Sequence, residues 1–136
     1  MNVPAPLFAI ARVLIALMFV LAGFGKLSGL EGTAGYIASK GLPLPWLLAL
    51  AAGVLELVAG VALAIGYRTR LAAGALALFT VVATVLFHNF WAAPADQAFV
   101  QQLMFMKNLA AIGGLLLVLG FGAGPASLDA RRMTAA

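Results

Sequence analysis

Four long runs of apolar residues alternate along the chain with shorter, more polar connections. The runs cover about residues 6–24, 46–66, 71–90 and 103–121. A helix of about 20 mostly apolar residues spans the hydrocarbon layer of a bilayer. The pattern therefore predicts an all-α, polytopic membrane protein, with a four-transmembrane-helix bundle as the single domain of residues 1–136. Residues 122–136 are predicted to form a short cytoplasmic tail.

The connections between the runs differ in length. The second and third runs are joined by "YRTR" alone, which predicts a tight antiparallel helix hairpin. The first connection is longer and contains a short amphipathic piece that we expect to lie along the membrane interface. The residues expected along this interface are Leu30, Ala34, Tyr36 and Ile37.

The composition supports a membrane protein. Of the 136 residues, 65% are hydrophobic and 9% are charged, whereas about 25% of the residues in a soluble domain are charged. The formal net charge is +4, but the eight Lys and Arg residues are scattered. We therefore expect membrane lipid to be their partner and exclude nucleic acid.

The chain contains no cysteine and a single histidine. Without cysteine there is no disulfide, thiolate metal site or cysteine nucleophile. One histidine is too few for a self-contained zinc or haem site. We therefore predict no metal and no covalent cofactor, assign no catalytic residue, and favour a non-catalytic subunit over an enzyme.

The basic residues in the short loops predict the orientation. Arg68, Arg70, Arg131 and Arg132 fall on the same side of the membrane as the amino terminus, and Lys26 and Lys40 fall on the other. Lys and Arg in short loops are enriched on the cytoplasmic side. Both termini are therefore predicted to be cytoplasmic.

Each predicted span carries a stripe of small residues together with polar or ionisable ones. Glu56 shares a helix face with Gly53 and Gly60, and Arg12 shares one with Gly23 and Lys26. Small residues let neighbouring helices approach closely, so these faces should point into the bundle. The predicted packing positions are Gly23, Gly53, Gly60 and Gly114.

The polar positions in the four spans predict a cavity that opens to the outer side. Glu56 would form its floor, with the long side chain of Arg12 reaching Glu56 from below. The remaining polar groups lie toward the outer end. Together the predicted ligand-binding cluster is Arg12, Lys26, Glu56, His88, Lys107 and Asn108.

Structural interpretations of these residues stay open. Arg12 and Glu56 would also serve as a buried pair that fixes helix register. Lys26 and Lys107 would then extend to the lipid head groups. Thr80 and Thr84 would donate hydrogen bonds to their own helix.

Four segments of the chain resemble the DoxX family. They are "ARVLIALMFVLAGFGKL", "LELVAGVALAIGYRTRLAA", "FHNFW" and "FMKNLAAIGGLLLV", in the order of the family's pattern. The resemblance implies a four-helix protein of the bacterial inner membrane. The positions that match the pattern are Arg12, Gly23, Lys26, Glu56, Gly60, Arg68, Arg70, His88, Lys107 and Asn108. The family takes its name from subunits linked to quinone-dependent sulfur oxidation, so the resemblance also implies a redox setting.

Three functions are consistent with these observations. The first is a membrane subunit associated with respiration or redox chemistry that binds a quinone or a similar lipid-soluble ligand. In it His88 or Lys107 contacts the carbonyl oxygens, Glu56 exchanges the proton, and a redox partner protein moves the electrons.

The second function is a scaffold for a soluble partner. The third is a small transporter or permease for an anion or weak acid. A homodimer is also open, because so small a bundle leaves long lipid-facing surfaces.

Overall fold

The computed structural model describes residues 4–134, and these residues form six α-helices. The helices are α1 (Ala5–Ser28), α2 (Leu30–Ser39), α3 (Pro45–Ile65), α4 (Thr69–Phe87), α5 (Ala95–Phe121) and α6 (Leu128–Thr134), with a 3₁₀ turn over Phe90–Ala92. Of these, α1, α3, α4 and α5 are long and apolar enough to cross a membrane. The predicted four-helix membrane bundle is therefore confirmed.

Successive spans run antiparallel, and each packs against the next. The contacts between α1 and α3 and between α4 and α5 are extensive, whereas α1 and α5 touch little. The short helix α2 packs on α3 through its buried Ala34 and Ile37, which contact Ala49. We call the end of the bundle where α1 begins and α5 ends the terminal end, and the opposite end, where α2 lies, the α2 end.

Several helix boundaries differ from the apolar runs, and α1 for example continues to Ser28, past residue 24. Helix α5 begins at Ala95, well before residue 103, because it continues through polar residues after Pro94. Helix α4 ends at Phe87 and not at residue 90, since His88 leaves helical geometry and the chain enters the 3₁₀ turn. A hydropathy pattern marks the apolar part of a helix, whereas the helix itself can begin before or end away from the edge of that apolar run.

Close contact between α1 and α3 depends on glycine. A Cβ on Gly23 would lie 2.5 Å from the backbone nitrogen of Leu57 and 2.8 Å from the backbone oxygen of Gly53. A Cβ on Gly60 would lie 3.1 Å from the backbone nitrogen of Val20. The two backbones therefore approach each other more closely than any side chain at these positions would allow. Gly53 and Gly114 also lie at helix contacts, against Leu27 and Ile15.

The segment after α5 folds back under the bundle. The backbone turns at Gly122 (φ 85°) and Gly124 (φ 75°), which are left-handed conformations that favour glycine. The following helix, α6, places Asp129 against the α3–α4 turn, where its backbone nitrogen donates to the oxygen of Gly66 at 2.8 Å. The described part of the predicted tail therefore packs against the α3–α4 turn. Residues 135–136 lie outside the described residues.

The Asp129 carboxylate caps the first turn of α4. It accepts hydrogen bonds from the backbone nitrogens of Arg68 and Thr69, both at 2.8 Å, and from the Thr69 hydroxyl at 2.7 Å. Burial acts to raise the pKa of Asp129, but the hydrogen bonds from Thr69 and Arg68 and the charge of Arg132 hold the pKa below its ordinary value of 3.8. An ionised carboxylate at a helix N-terminus also interacts favourably with the helix dipole.

The glycine contact can be tested with two variants on one helix. Gly23→Ala should lower the free energy of unfolding by about 1–3 kcal/mol, because the new methyl group meets backbone atoms that cannot turn aside. Gly25→Ala is the matched control, since a Cβ there has no atom within 4 Å. Thermal unfolding of the detergent-solubilised protein measures both. Equal stability of the two variants would contradict the close packing of α1 on α3.

Candidate functional site

A cavity of about 800 Å³ lies between the helices toward the α2 end. Residues from α1, α2, α3, α4 and α5 line it, and most of them are apolar. The polar and ionisable side chains on its wall are Lys26, Thr33, Tyr36, Glu56, Thr80, His88, Lys107 and Asn108. All members of the predicted ligand-binding cluster except Arg12 therefore line one cavity.

A buried ion pair lies on one wall of this cavity. The Lys26 ammonium is 2.6 Å from Glu56 Oε2, and the two side chains are 30% and 7% exposed. Among the described residues, this buried oxygen accepts no hydrogen bond of regular geometry, so its contact with Lys26 is one of charge. The pair places one positive and one negative charge side by side in a low-dielectric region, where their attraction is strong.

The predicted contact between Arg12 and Glu56 is wrong. The Arg12 guanidinium donates to the backbone oxygens of Ala64 (3.3 Å), Ala126 (2.8 Å) and Ala123, all at the terminal end. Arg12 therefore ties the segment after α5 to α3 and takes no part in the cavity.

The direction of side chains on a helix explains this difference. The Cα–Cβ bond tilts toward the N-terminus of its helix. Helix α1 runs from the terminal end to the α2 end, so Arg12 is directed away from Glu56, whereas Lys26 is directed toward it. The packing of Gly23 on Gly53 and Leu57 sets the level of Glu56. Arg12 consequently lies roughly 15 Å below that level at 1.5 Å per residue.

Helices α4 and α5 position the other polar groups of the cavity. His88 Nδ1 and Gln101 Oε1 are 2.8 Å apart. With the amide oxygen as acceptor, Nδ1 donates, and Nε2 of the neutral ring is left as an acceptor. Asn108 is buried and donates from Nδ2 to the Thr84 hydroxyl at 2.9 Å.

Thr80 and Thr84 make hydrogen bonds within α4 that orient the polar groups on this side of the cavity. Thr84 donates its own hydroxyl proton to the backbone oxygen of Thr80, and Thr80 donates to that of Leu76. The sequence-based interpretation that both threonines donate hydrogen bonds to their own helix is therefore confirmed. Each threonine thereby satisfies its donor, and Thr84 keeps a lone pair for Asn108.

Lys107 differs from its polar neighbours. It lies on α5 beside Asn108 and lines the cavity, with its side chain exposed. In the chain from Pro4 to Thr134 no carboxylate lies within 4.0 Å of its ammonium group. Within the same range, no group of three His, Asp or Glu side chains could hold a metal ion.

Two residues at the site did not emerge from the sequence. Gln101 orients His88, and its spacing of seven from Asn108 puts both on one face of α5, which is a usable signal. Tyr36 was expected at the membrane interface. It also lines the cavity, its hydroxyl donates to the backbone oxygen of Phe87 at 3.3 Å, and its ring centroid is 5.6 Å from that of Phe87.

Comparison with known proteins identifies the chain's relatives. The sequence model of the DoxX family matches residues 7–89, which is more than half of the chain. The chain belongs to the DoxX family. That match spans α1 to α4 and includes Lys26, Glu56 and His88, whereas Lys107 and Asn108 follow it.

Two similar proteins of Escherichia coli K12 extend the likeness through α5. Inner membrane protein YphA is 36% identical over 125 residues, covering 92% of this chain and 89% of the relative. Inner membrane protein YqjF is 39% identical over 123 residues, covering 88% and 87%. The names of these relatives and the four apolar helices support an inner-membrane, multi-pass protein.

A more distant relative is longer. The ER-derived vesicles protein ERV29 of Saccharomyces cerevisiae is 31% identical over 126 residues, which cover 93% of this chain but 33% of that protein. No solved structure matches the chain.

The ion pair of this DoxX protein can be tested by a double-mutant cycle. Lys26→Met or Glu56→Gln alone should each lower the free energy of unfolding by about 1–3 kcal/mol, because each leaves a buried or partly buried charge without its partner. The double variant should lose less than the sum of the two single losses. Thermal unfolding in detergent measures the cycle, with Lys40→Met as a control at an exposed lysine. Strictly additive losses would show that Lys26 and Glu56 do not interact.

Proposed function

We propose that this DoxX protein is a redox-associated membrane subunit that binds a lipid-soluble ligand of the quinone class in the cavity. One observation carries the proposal. A mostly apolar cavity within the membrane bundle is lined by ionisable and amide side chains that come from several of its helices. Small-molecule sites are typically apolar clefts of about 300–1,000 Å³ with a few well-placed polar groups.

The polar groups suit the head group of a quinone. A quinone ring presents two carbonyl oxygens that accept hydrogen bonds, and its reduced form presents two hydroxyls that also donate. The Lys107 ammonium donates to an oxygen, whereas His88 Nε2 accepts from a hydroxyl as long as Nδ1 is held by Gln101. The apolar walls accommodate an isoprenoid tail that extends from the lipid.

The ion pair supplies the proton chemistry that a quinone needs. Conversion of a quinone to its reduced form takes up two protons as well as two electrons. Glu56 holds or releases a proton at the cavity wall, and Lys26 at 2.6 Å compensates the charge of the ionised carboxylate. The electrons would come from a partner protein of the redox class.

We also propose that both termini are cytoplasmic. Helices α1 and α5 place them on the same side, and the exposed Arg68, Arg70, Arg131 and Arg132 lie at this terminal end. Lys26 and Lys40 lie toward the α2 end. This distribution follows the excess of Lys and Arg in cytoplasmic loops.

The transporter and scaffold alternatives differ from this proposal in what fills the cavity. A scaffold needs nothing there except lipid, and a permease needs a solute that crosses the membrane.

Mass spectrometry of the protein extracted in native lipid discs tests the proposal, reading organic-soluble ligands and co-purifying proteins together. We expect a quinone at close to one per chain, and a loss of about tenfold or more in Glu56→Gln and His88→Ala. Leu117→Ala, on the lipid-facing side of α5, is the control and should keep the ligand.

A lipid profile identical in all variants, with no enriched quinone, would contradict the proposal. A soluble protein retained in stoichiometric amount under that condition would favour the scaffold. Solute flux in proteoliposomes that depends on Glu56 would favour the transporter.

A further inference from the structure

The charges on the cavity wall do not balance. Lys26 and Glu56 form an ion pair at 2.6 Å, so their charges compensate each other. Lys107 adds a second positive charge on the same cavity. The cavity therefore carries a surplus of one positive charge when His88 is neutral.

The other acidic residues of the chain do not compensate Lys107. Glu31 and Asp96 lie in the first turns of α2 and α5 and do not line the cavity. Asp129 lies at the terminal end, where Arg68 and Thr69 occupy its carboxylate. Glu56 is near enough for its carboxylate to be affected by the charge of Lys107, but its ion pair is with Lys26. Among residues 4–134, no carboxylate lies within 4.0 Å of the Lys107 ammonium.

The polar groups next to Lys107 already donate hydrogen bonds within the protein. Asn108 donates to Thr84, and His88 Nδ1 donates to Gln101, so the ring nitrogen that His88 keeps free is an acceptor. Lys107 lies on α5 at the position next to Asn108. It is therefore the group with donors and charge to offer a ligand.

A cation at membrane depth calls for an anion. Inserting a lysine at the centre of a bilayer is energetically unfavourable, and less so as the lysine nears the head groups. An anionic group placed beside Lys107 would recover this cost, and an apolar body would fill the rest of the cavity. The matching chemistry is an acidic amphiphile.

We propose that the cavity takes its ligand as an anion, with Lys107 contacting the acidic head group and the apolar walls holding the body. This inference rests on the proposed function and deepens it, because it selects quinone-like molecules with an ionised hydroxyl over neutral ones. The same chemistry could come from a small acid dissolved in the membrane or from an anionic phospholipid.

Binding of two matched ligands tests the inference. One is an alkylated naphthoquinone with an acidic ring hydroxyl that is ionised at neutral pH, and the other carries a methyl group in its place. Both are titrated into the full chain in discs of uncharged phosphatidylcholine. We expect the acidic ligand to bind the native protein about tenfold more tightly than the neutral one.

Three variants show whether Lys107 causes that preference. Lys107→Gln should reduce the preference to within about twofold, and Lys107→Arg should keep it, because a guanidinium retains the charge. Arg131→Gln removes one positive charge at the terminal end and should leave the preference unchanged. A preference that persists in Lys107→Gln, or that disappears in Arg131→Gln, would overturn the inference.

The outcome also separates this inference from the proposed function. Equal binding of the two ligands to the native protein would overturn the anion preference and leave the quinone site intact. Binding of neither ligand would overturn both. In discs with anionic phosphatidylglycerol, weaker binding of the acidic ligand to the native protein but not to Lys107→Gln would assign the site to a phospholipid. Unchanged binding would assign it to a small acid.

Discussion

The backbone contact between α1 and α3 determines the rest of this structure. Gly23 lies against the backbone of Gly53 and Leu57, and a Cβ there would meet the Leu57 nitrogen at 2.5 Å. Close approach fixes the register of the two helices as well as their distance. In that register Lys26 reaches Glu56 at 2.6 Å. The ion pair on the cavity wall therefore depends on Gly23, which lies one helical turn before Lys26 and has no side chain to keep α3 away.

The two ends of the bundle use their charged residues for different purposes. At the terminal end Arg12 binds the backbone oxygens of Ala64, Ala123 and Ala126, and Asp129 caps α4. Both of these side chains are satisfied by partners within the chain, as buried or partly buried polar groups in a structural contact usually are. At the α2 end the cavity leaves open space beside its polar side chains. The arrangement supports a ligand site at that end and a structural role for Arg12.

Hydropathy was sufficient to predict the four spans, since the bilayer requires long apolar helices. Helical periodicity placed Lys26, Glu56, His88, Lys107 and Asn108 on inward faces, and the structure brings them to one cavity.

The prediction for Arg12 was wrong because it considered the depth of Arg12 in the membrane and not the direction of its side chain along the helix. Docking of α6 could not be predicted, since it depends on Asp129 meeting backbone donors of Arg68 and Thr69, about half the chain away. A cavity shape likewise arises only when several helices come together.

The most direct test of the ligand site is photo-crosslinking with a quinone that carries a photoreactive group on its ring, in lipid discs, with the labelled residues mapped by peptide mass spectrometry. The account predicts labels on cavity residues such as Glu56, Phe79 and Phe87, and their loss when unlabelled quinone is added in excess. Labels spread over lipid-facing residues such as Leu14, Val58 and Leu117, and unaffected by unlabelled quinone, would contradict a quinone site in the bundle.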